Sequence, residues 1–227
     1  MTNPESFIPE QHTGLAKEVR HHVDSASTRE ADVIFARAKD RLQSVNDWLA
    51  TAEGSSAKFL LCDSDGRALS RKAKQGDLVR VDLPGPHRSS GSGYDWVVID
   101  RLMEGVDEDG SPWALLTTRP TADPLAKHDN EDTAHFFSRE STGTFVLRQR
   151  DKRVEGAHFG RNELPNTDGA MLDKARAVLV TAGAYLGLSD VQWSNLVKGL
   201  LAFRIFQYSI RQFNSSCSYG YCLYSNR

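Results

Sequence analysis

The sequence predicts an α+β fold: an antiparallel sheet of six to seven strands and a long C-terminal helix, with an additional helix near the start and a tail at the end. Three observations predict it. Six short segments of strand character follow one another with turn residues, not helices, between them, which excludes a doubly wound sheet. One stretch of helical period precedes them and a longer helical region follows. The third observation is residues 76–86 followed by 91–100. There Val79, Val81 and Leu83 alternate with Arg80 and Asp82 until Pro84-Gly85-Pro86 ends the strand, and the strand from Asp95 carries apolar residues on both faces, as a central strand does.

Along the chain, residues 1–17 read as a flexible N-terminal arm, with Pro4, Pro9 and Gly14 among polar residues and a short extended piece from about Glu18 to Val23. Ser27 or Thr28 can cap a helix, with Glu30 in its first turn, and Val33, Ile34, Ala38, Leu42, Val45 and Leu49 recur at spacings of three and four. Trp48, near its end, reads as a core plug. The strand segments are Lys58 to Cys62, Leu78 to Leu83, Asp95 to Leu102, Trp113 to Thr118, Thr144 to Arg150 and Arg153 to Arg161, with Asp63-Ser64-Asp65-Gly66, Asp107-Glu108-Asp109-Gly110 and Asp151-Lys152 as turns. Their short links imply a meander. A polar excursion from Pro120 to Ser141 interrupts it.

After Asp168-Gly169 the period becomes helical, with Leu172, Ala175, Leu179, Ala182 and Leu186 forming one apolar stripe that Gly187 closes. A second helix starts near Ser189-Asp190 and carries Val191, Trp193, Leu196, Val197, Leu200 and Leu201 as apolar residues. Residues 18–201 therefore form the single α+β domain. Residues 202–227, which lack acidic residues and crowd seven aromatics with Cys217 and Cys222, read as an atypical tail that is expected to be poorly ordered.

A chain of 227 residues that is 39% hydrophobic and 26% charged buries one core. A net charge of −2 gives no electrostatic reason to bind a polyanion, so no nucleic acid is expected as a partner. Three cysteines do not make a disulfide framework, the N-terminus lacks the apolar core of a secretory signal, and the apolar run from Leu196 to Ile210 is short and interrupted by Lys198, Arg204 and Gln207. The expectation is a cytoplasmic protein without a transmembrane helix.

Chemistry-bearing clusters are sparse. His128, Asp129, Glu131, Asp132 and His135 form the densest group of metal-ligating types, but their spacing matches no metal motif and reads as a solvated acidic lid. His12, His21 and His22 read as exposed arm residues, Cys62 as a small core hydrophobe, and the run Arg71-Lys72-Ala73-Lys74 as a solvated turn. His158, Arg161, Asn162 and Glu163 end the last strand, where side chains satisfy free backbone groups or line a pocket. No nucleophile elbow and no phosphate-binding glycine loop occur. No catalytic residue, metal site or cofactor is assigned.

The order of elements resembles the START-like helix-grip superfamily over about Glu18 to Leu188, with the segment ending Val45-Asn46-Asp47-Trp48-Leu49 adding to the likeness. That resemblance implies a curved antiparallel sheet gripping a long C-terminal helix, often with a ligand cavity between them. At the level of residues, Asp82-Leu83-Pro84-Gly85-Pro86 with Gly93-Tyr94-Asp95-Trp96-Val97, and Gln192-Trp193-Ser194-Asn195-Leu196, look like an uncharacterised family of bacterial proteins. In such a family the chain would end soon after Leu201, and no activity or site transfers from it.

These readings converge on a non-enzymatic binding protein for an apolar small molecule or lipid-like ligand. Its expected contacts are Trp96 and His158 on the sheet and Leu172, Ala175, Leu179 and Ala182 on the helix, where small residues such as Ala175 and Ala182 leave volume. The alternative is a protein-interaction module in which the loop from Pro84 to Gly93 and the Trp193 helix recruit a protein partner. An enzyme using His135 or His158 as general base is the third reading, and membrane contact by the tail is the remaining partner class.

Overall fold

The computed structural model describes residues 3–54, 57–82, 94–126, 133, 137–164 and 191–202. Within them the chain forms β1 (Leu15–Asp24), α1 (Thr28–Gln43), α2 (Trp48–Thr51), β2 (Lys58–Cys62), β3 (Leu78–Asp82), β4 (Asp95–Val106), β5 (Pro112–Pro120), β6 (Thr142–Arg150) and β7 (Arg153–Glu163). A further helix, α3, covers residues 191–201. The seven strands make one antiparallel sheet in the order β1-β7-β6-β5-β4-β3-β2, so the first strand adds to the last and the rest is a meander. This is the α+β architecture that the run of strand segments predicts, with α1 and α3 packed on one face of the sheet.

Local chemistry explains the main boundaries. Ser27 caps α1 by accepting the N–H of Glu30 at 3.2 Å, while the Glu30 carboxylate reaches back to the N–H of Ala26 at 2.8 Å. Ala31, Ile34, Phe35, Ala38 and Leu42 turn inward from this helix. Val33 and Leu49, counted in the apolar stripe from their spacing, are instead exposed, since the helix stops at Gln43 and Val33 lies off its buried face. Trp48 is buried and donates its indole N–H to the carbonyl of Leu42 at 3.1 Å. In the β2–β3 connection, Asp63 Oδ1 accepts the N–H groups of Asp65 and Arg67, and Gly66 takes φ +78°. Asp151 takes φ +48° in the tight β6–β7 turn.

The basic run expected to be a solvated turn is tied down. Ala73 is buried and donates its N–H to the carbonyl of Gln43, Lys72 reaches the carbonyl of Asp40 at the C-terminal end of α1, and Arg71 pairs with Asp77. A loop that must close the edge of a core spends its charges on neighbours, which composition does not reveal.

Strand β4 runs four residues beyond the Leu102 expected as its end. A bulge between Ile99 and Arg101 shifts the register, so that Ile99 and Leu102 both face inward although they are three apart. Ahead of the bulge, Val97 and Ile99 face inward while Trp96 packs beside Cys62 on the other side, so this part of the strand is apolar on both faces. Beyond it, Gly105 lies under the indole of Trp113, where a Cβ would collide with the ring.

Two faces carry different cores. The inward face joins Leu61, Val79, Leu116, Leu147 and Val154 to α1 and to Leu196, Val197, Leu200 and Leu201 of α3. Outward lie Trp113, Leu115, Val146, Ala157 and Phe159, covered by Phe7 and Ile8 of the N-terminal arm. Residues 1–17 were expected as a flexible arm. Pro4–Phe7 form a 3-10 turn whose Phe7 ring packs on Trp113 with centroids 5.7 Å apart, and β1 starts at Leu15, not Glu18. Among the described residues no helix is long and apolar enough to cross a membrane.

Candidate functional site

The inward face is built by strand alternation. On β7, Val154, Gly156, His158 and Gly160 face inward, paired with Gln149, Leu147, Phe145 and Gly143 of β6 and with Val23, His21, Val19 and Lys17 of β1. One half of this face is closed. Ala114, Leu116, Leu147 and Val154 lie under α1 and α3 and are fully buried.

Toward the other end the same face is less covered. Val19, Val81, Val97, Thr118 and Gly143 are half-buried although their side chains, or the glycine Cα, point to the interior side of the sheet. Asp95 lies buried on this face opposite Val81.

At the border between the two halves stands His158. It is only 3% exposed. Its ring stacks on Trp193 of α3, with centroids 4.9 Å apart and planes 25° apart, and tilts against Phe145 at 4.7 Å. Gly143 gives the imidazole its room, since a Cβ there would sit 3.0 Å from Nε2. No hydrogen bond joins the His158 ring to another of the described residues. Burial, together with the positive charges of Lys17 and Arg161, pushes the His158 pKa down to about 3, so the imidazole is neutral.

Further along lies a buried ion pair, Lys17 with Glu163, at 3.9 Å and with side chains 14% and 6% exposed. The Glu163 carboxylate lies over Gly160, where a Cβ would collide with it. The second inward histidine, His21, shares a hydrogen bond of 2.9 Å between its Nε2 and the hydroxyl of Ser194, tying β1 to α3. Burial, aided by Lys198 and His22, lowers the His21 pKa below its ordinary value. The inward face thus offers an apolar wall, a neutral imidazole and, at its end, a lysine–carboxylate pair. Such a surface can hold an apolar body and satisfy a polar end. It does not favour His158 as a general base, because a group whose conjugate acid has a pKa near 3 is a weak base at neutral pH.

The sequence-expected contacts separate. His158 is on the inward face, whereas Trp96 is fully buried on the outward one beside Cys62, opposite Arg80 in the register. The two do not meet. Leu172, Ala175, Leu179 and Ala182 lie outside the described residues, as do His128, Asp129, Glu131, Asp132, His135, Cys217, Cys222 and the loop from Pro84 to Gly93. Of the four polar residues at the end of β7, Arg161 lies over the Phe159 ring and donates to the carbonyls of Lys17 and Gly160, and Asn162 binds the arm. Only His158 and Glu163 turn to the inward face. Lys17 went unnoticed because it stood within the presumed arm, although the alternation Lys17, Val19, His21, Val23 marks one face of a strand.

A concavity of about 280 Å³ opens between the arm and the sheet, lined by Pro9, Glu10, Thr13, Arg119, Glu140 and Thr142 among others. It is shallow. Among the described residues no group of three or more histidine, cysteine or acidic side chains could hold a metal ion.

No protein-family model matches the sequence, and no curated protein does. Solved structures to which the chain is similar include TTHA0849 of Thermus thermophilus (12% identity, 82% of this chain and 94% of that one, TM-score 0.36). Others are the Zhui aromatase/cyclase of a Streptomyces species (15%, 81% and 96%, TM-score 0.32) and a START superfamily protein of Mycobacterium smegmatis (11%, 81% and 98%, TM-score 0.30). All three scores lie below 0.5, so the fold assignment rests on strand order and register themselves.

Proposed function

We propose that the protein is a non-enzymatic binding protein that holds an apolar small molecule or lipid-like ligand against the inward face of the sheet. The observation that carries this reading is the contrast along that face. Val19, Val81 and Val97 are half-buried, one or two positions from residues that are fully buried in the same layer. Val19 lies on an edge strand, but a core filled to this end of the sheet would bury Val81 and Val97, on inner strands, as fully as Val79 and Ile99. His158 marks the border, and Leu172, Ala175, Leu179 and Ala182 would supply the opposite wall, as the helix-grip resemblance implies. Trp96 is not part of this site, because it lies on the outward face.

The alternative, a module that recruits a protein partner through Trp193, finds less support. Trp193 packs on His158, Phe145 and Phe59 and is engaged inside the domain. Titration with 1-aminoanthracene, a neutral apolar fluorophore, tests the binding reading. Saturable binding that an organic extract of the native cells displaces supports it, and absence of saturable binding to the folded protein counts against it.

A further inference from the structure

The position of Glu163 depends on the residue before it. Asn162 has φ +55°, in the left-handed region that asparagine tolerates better than most residues. Turned in this way, it faces the N-terminal arm. Its Oδ1 accepts the N–H groups of His12 and Thr13 at 2.7 and 3.1 Å, and its Nδ2 donates to the carbonyl of Glu10 at 2.9 Å. Its own N–H donates to Gln11 Oε1 at 2.9 Å. One buried side chain and its backbone thus engage Glu10, Gln11, His12 and Thr13 in succession.

The arm then enters β1 through Gly14, at φ +65°, where a Cβ would strike the carbonyl of Glu163. Both members of the inward ion pair lie within a few residues of this latch. Glu163 follows Asn162, and Lys17 lies three residues past Gly14. The far end of the arm is fixed on the opposite face. There Arg101 donates to the carbonyl of Phe7 at 3.0 Å, Phe7 packs on Trp113, and Glu5 pairs with Arg20 at 3.0 Å.

We propose that Asn162 is a positioning residue: it transmits docking of the arm on the outward face to the Lys17–Glu163 pair on the inward face. The pair is thereby held where it meets the polar end of an otherwise apolar ligand. This inference rests on the binding reading for its ligand and on geometry alone for its coupling. An arm that merely covered outward apolar surface would need Phe7 and Ile8 but no four-point attachment next to Glu163.

The test uses the full chain and two substitutions. Asn162→Gly keeps the positive φ and deletes the latch, and Asn162→Asp keeps the acceptor for His12 and Thr13 but not the donor to Glu10. The readouts are amide exchange at residues 10–13, the carboxyl ¹³C resonance of Glu163 at fixed pH, and the Kd for 1-aminoanthracene. Asn162→Gly is expected to expose the arm amides, move the Glu163 resonance and weaken probe binding about tenfold, the scale of a misplaced polar contact. Asn162→Asp should restore part of all three. Arm amides released with the Glu163 resonance unmoved would overturn the coupling. If the wild-type protein binds no probe, the binding reading fails by itself and the resonance still decides the coupling.

Discussion

The imidazole of His158 lies nearly parallel to the indole of Trp193, centroids 4.9 Å apart, and this stack joins the last strand to α3 at the border of the inward face. Burial keeps the ring neutral, with a pKa of about 3 against 6.5 for an ordinary histidine. Below pH 6.5 the unfolded chain binds a proton that the folded chain refuses until about pH 3, so this residue costs stability as the pH falls through that window. The expected slope reaches roughly 1.4 kcal/mol per pH unit. Urea unfolding of the wild-type protein and of His158→Leu between pH 8 and pH 4 should show the acid-side slope reduced in the variant; parallel profiles would mean that the histidine is not held neutral.

Asp77 is a carboxylate of the opposite kind. Burial by itself would raise its pKa, but the Arg71 guanidinium, at 2.6 and 2.8 Å, and the Lys74 N–H, at 2.7 Å, outweigh it and hold the carboxyl below its ordinary range. Its stabilisation is present above the unfolded value of 3.8 and is lost as the pH falls through the lower folded value. Asp77→Asn should cost about 1–2 kcal/mol at pH 7, because Arg71 is partly screened by solvent. The loss should shrink toward pH 3. Chemical denaturation at both pH values measures it.

Gly199 lets α3 approach α2. A Cβ there would collide with the carbonyl of Thr51, and backbone cannot move aside as a side-chain tip can. Arg41 fixes the same end by donating to the carbonyls of Gly199, Leu200 and Ala202 at 3.0, 3.1 and 2.6 Å. Gly199→Ala should destabilise the domain by about 2 kcal/mol or more. A thermal melt within a degree or two of wild type would show that α3 is not held this closely.

Val97 and Ile99 test the contrast in burial along the inward face. Both point inward on β4, but Ile99 is fully buried and Val97 is not. Ile99→Phe should cost about 1–3 kcal/mol by overpacking. Under the proposed binding reading, Val97→Phe should cost less than about 1 kcal/mol and should abolish 1-aminoanthracene binding. Equal costs at the two positions would mean that the face is filled throughout.

Much of this fold could be read from the sequence for physical reasons. Two-residue alternation, turn glycines and the Ser27–Glu30 pair are local signals, and each sets one element boundary within a few residues. What could not be read depends on contacts far apart in the chain. The bulge after Ile99 reverses which side chains face inward without any mark in composition. Trp96 and His158 look equivalent as buried strand residues, and only the register places them on opposite faces. The arm reads as flexible because its order comes from Asn162, some 150 residues away, and from Trp113, rather than from any periodicity of its own.

The central claim is that a small molecule occupies the inward face beside His158. Native mass spectrometry of the intact chain purified from its own cells tests it most directly. The expected result is a folded species carrying a small added mass that denaturing conditions release and that Val97→Phe lacks. A folded species with the mass of the polypeptide alone, which also fails to take up 1-aminoanthracene, would contradict it.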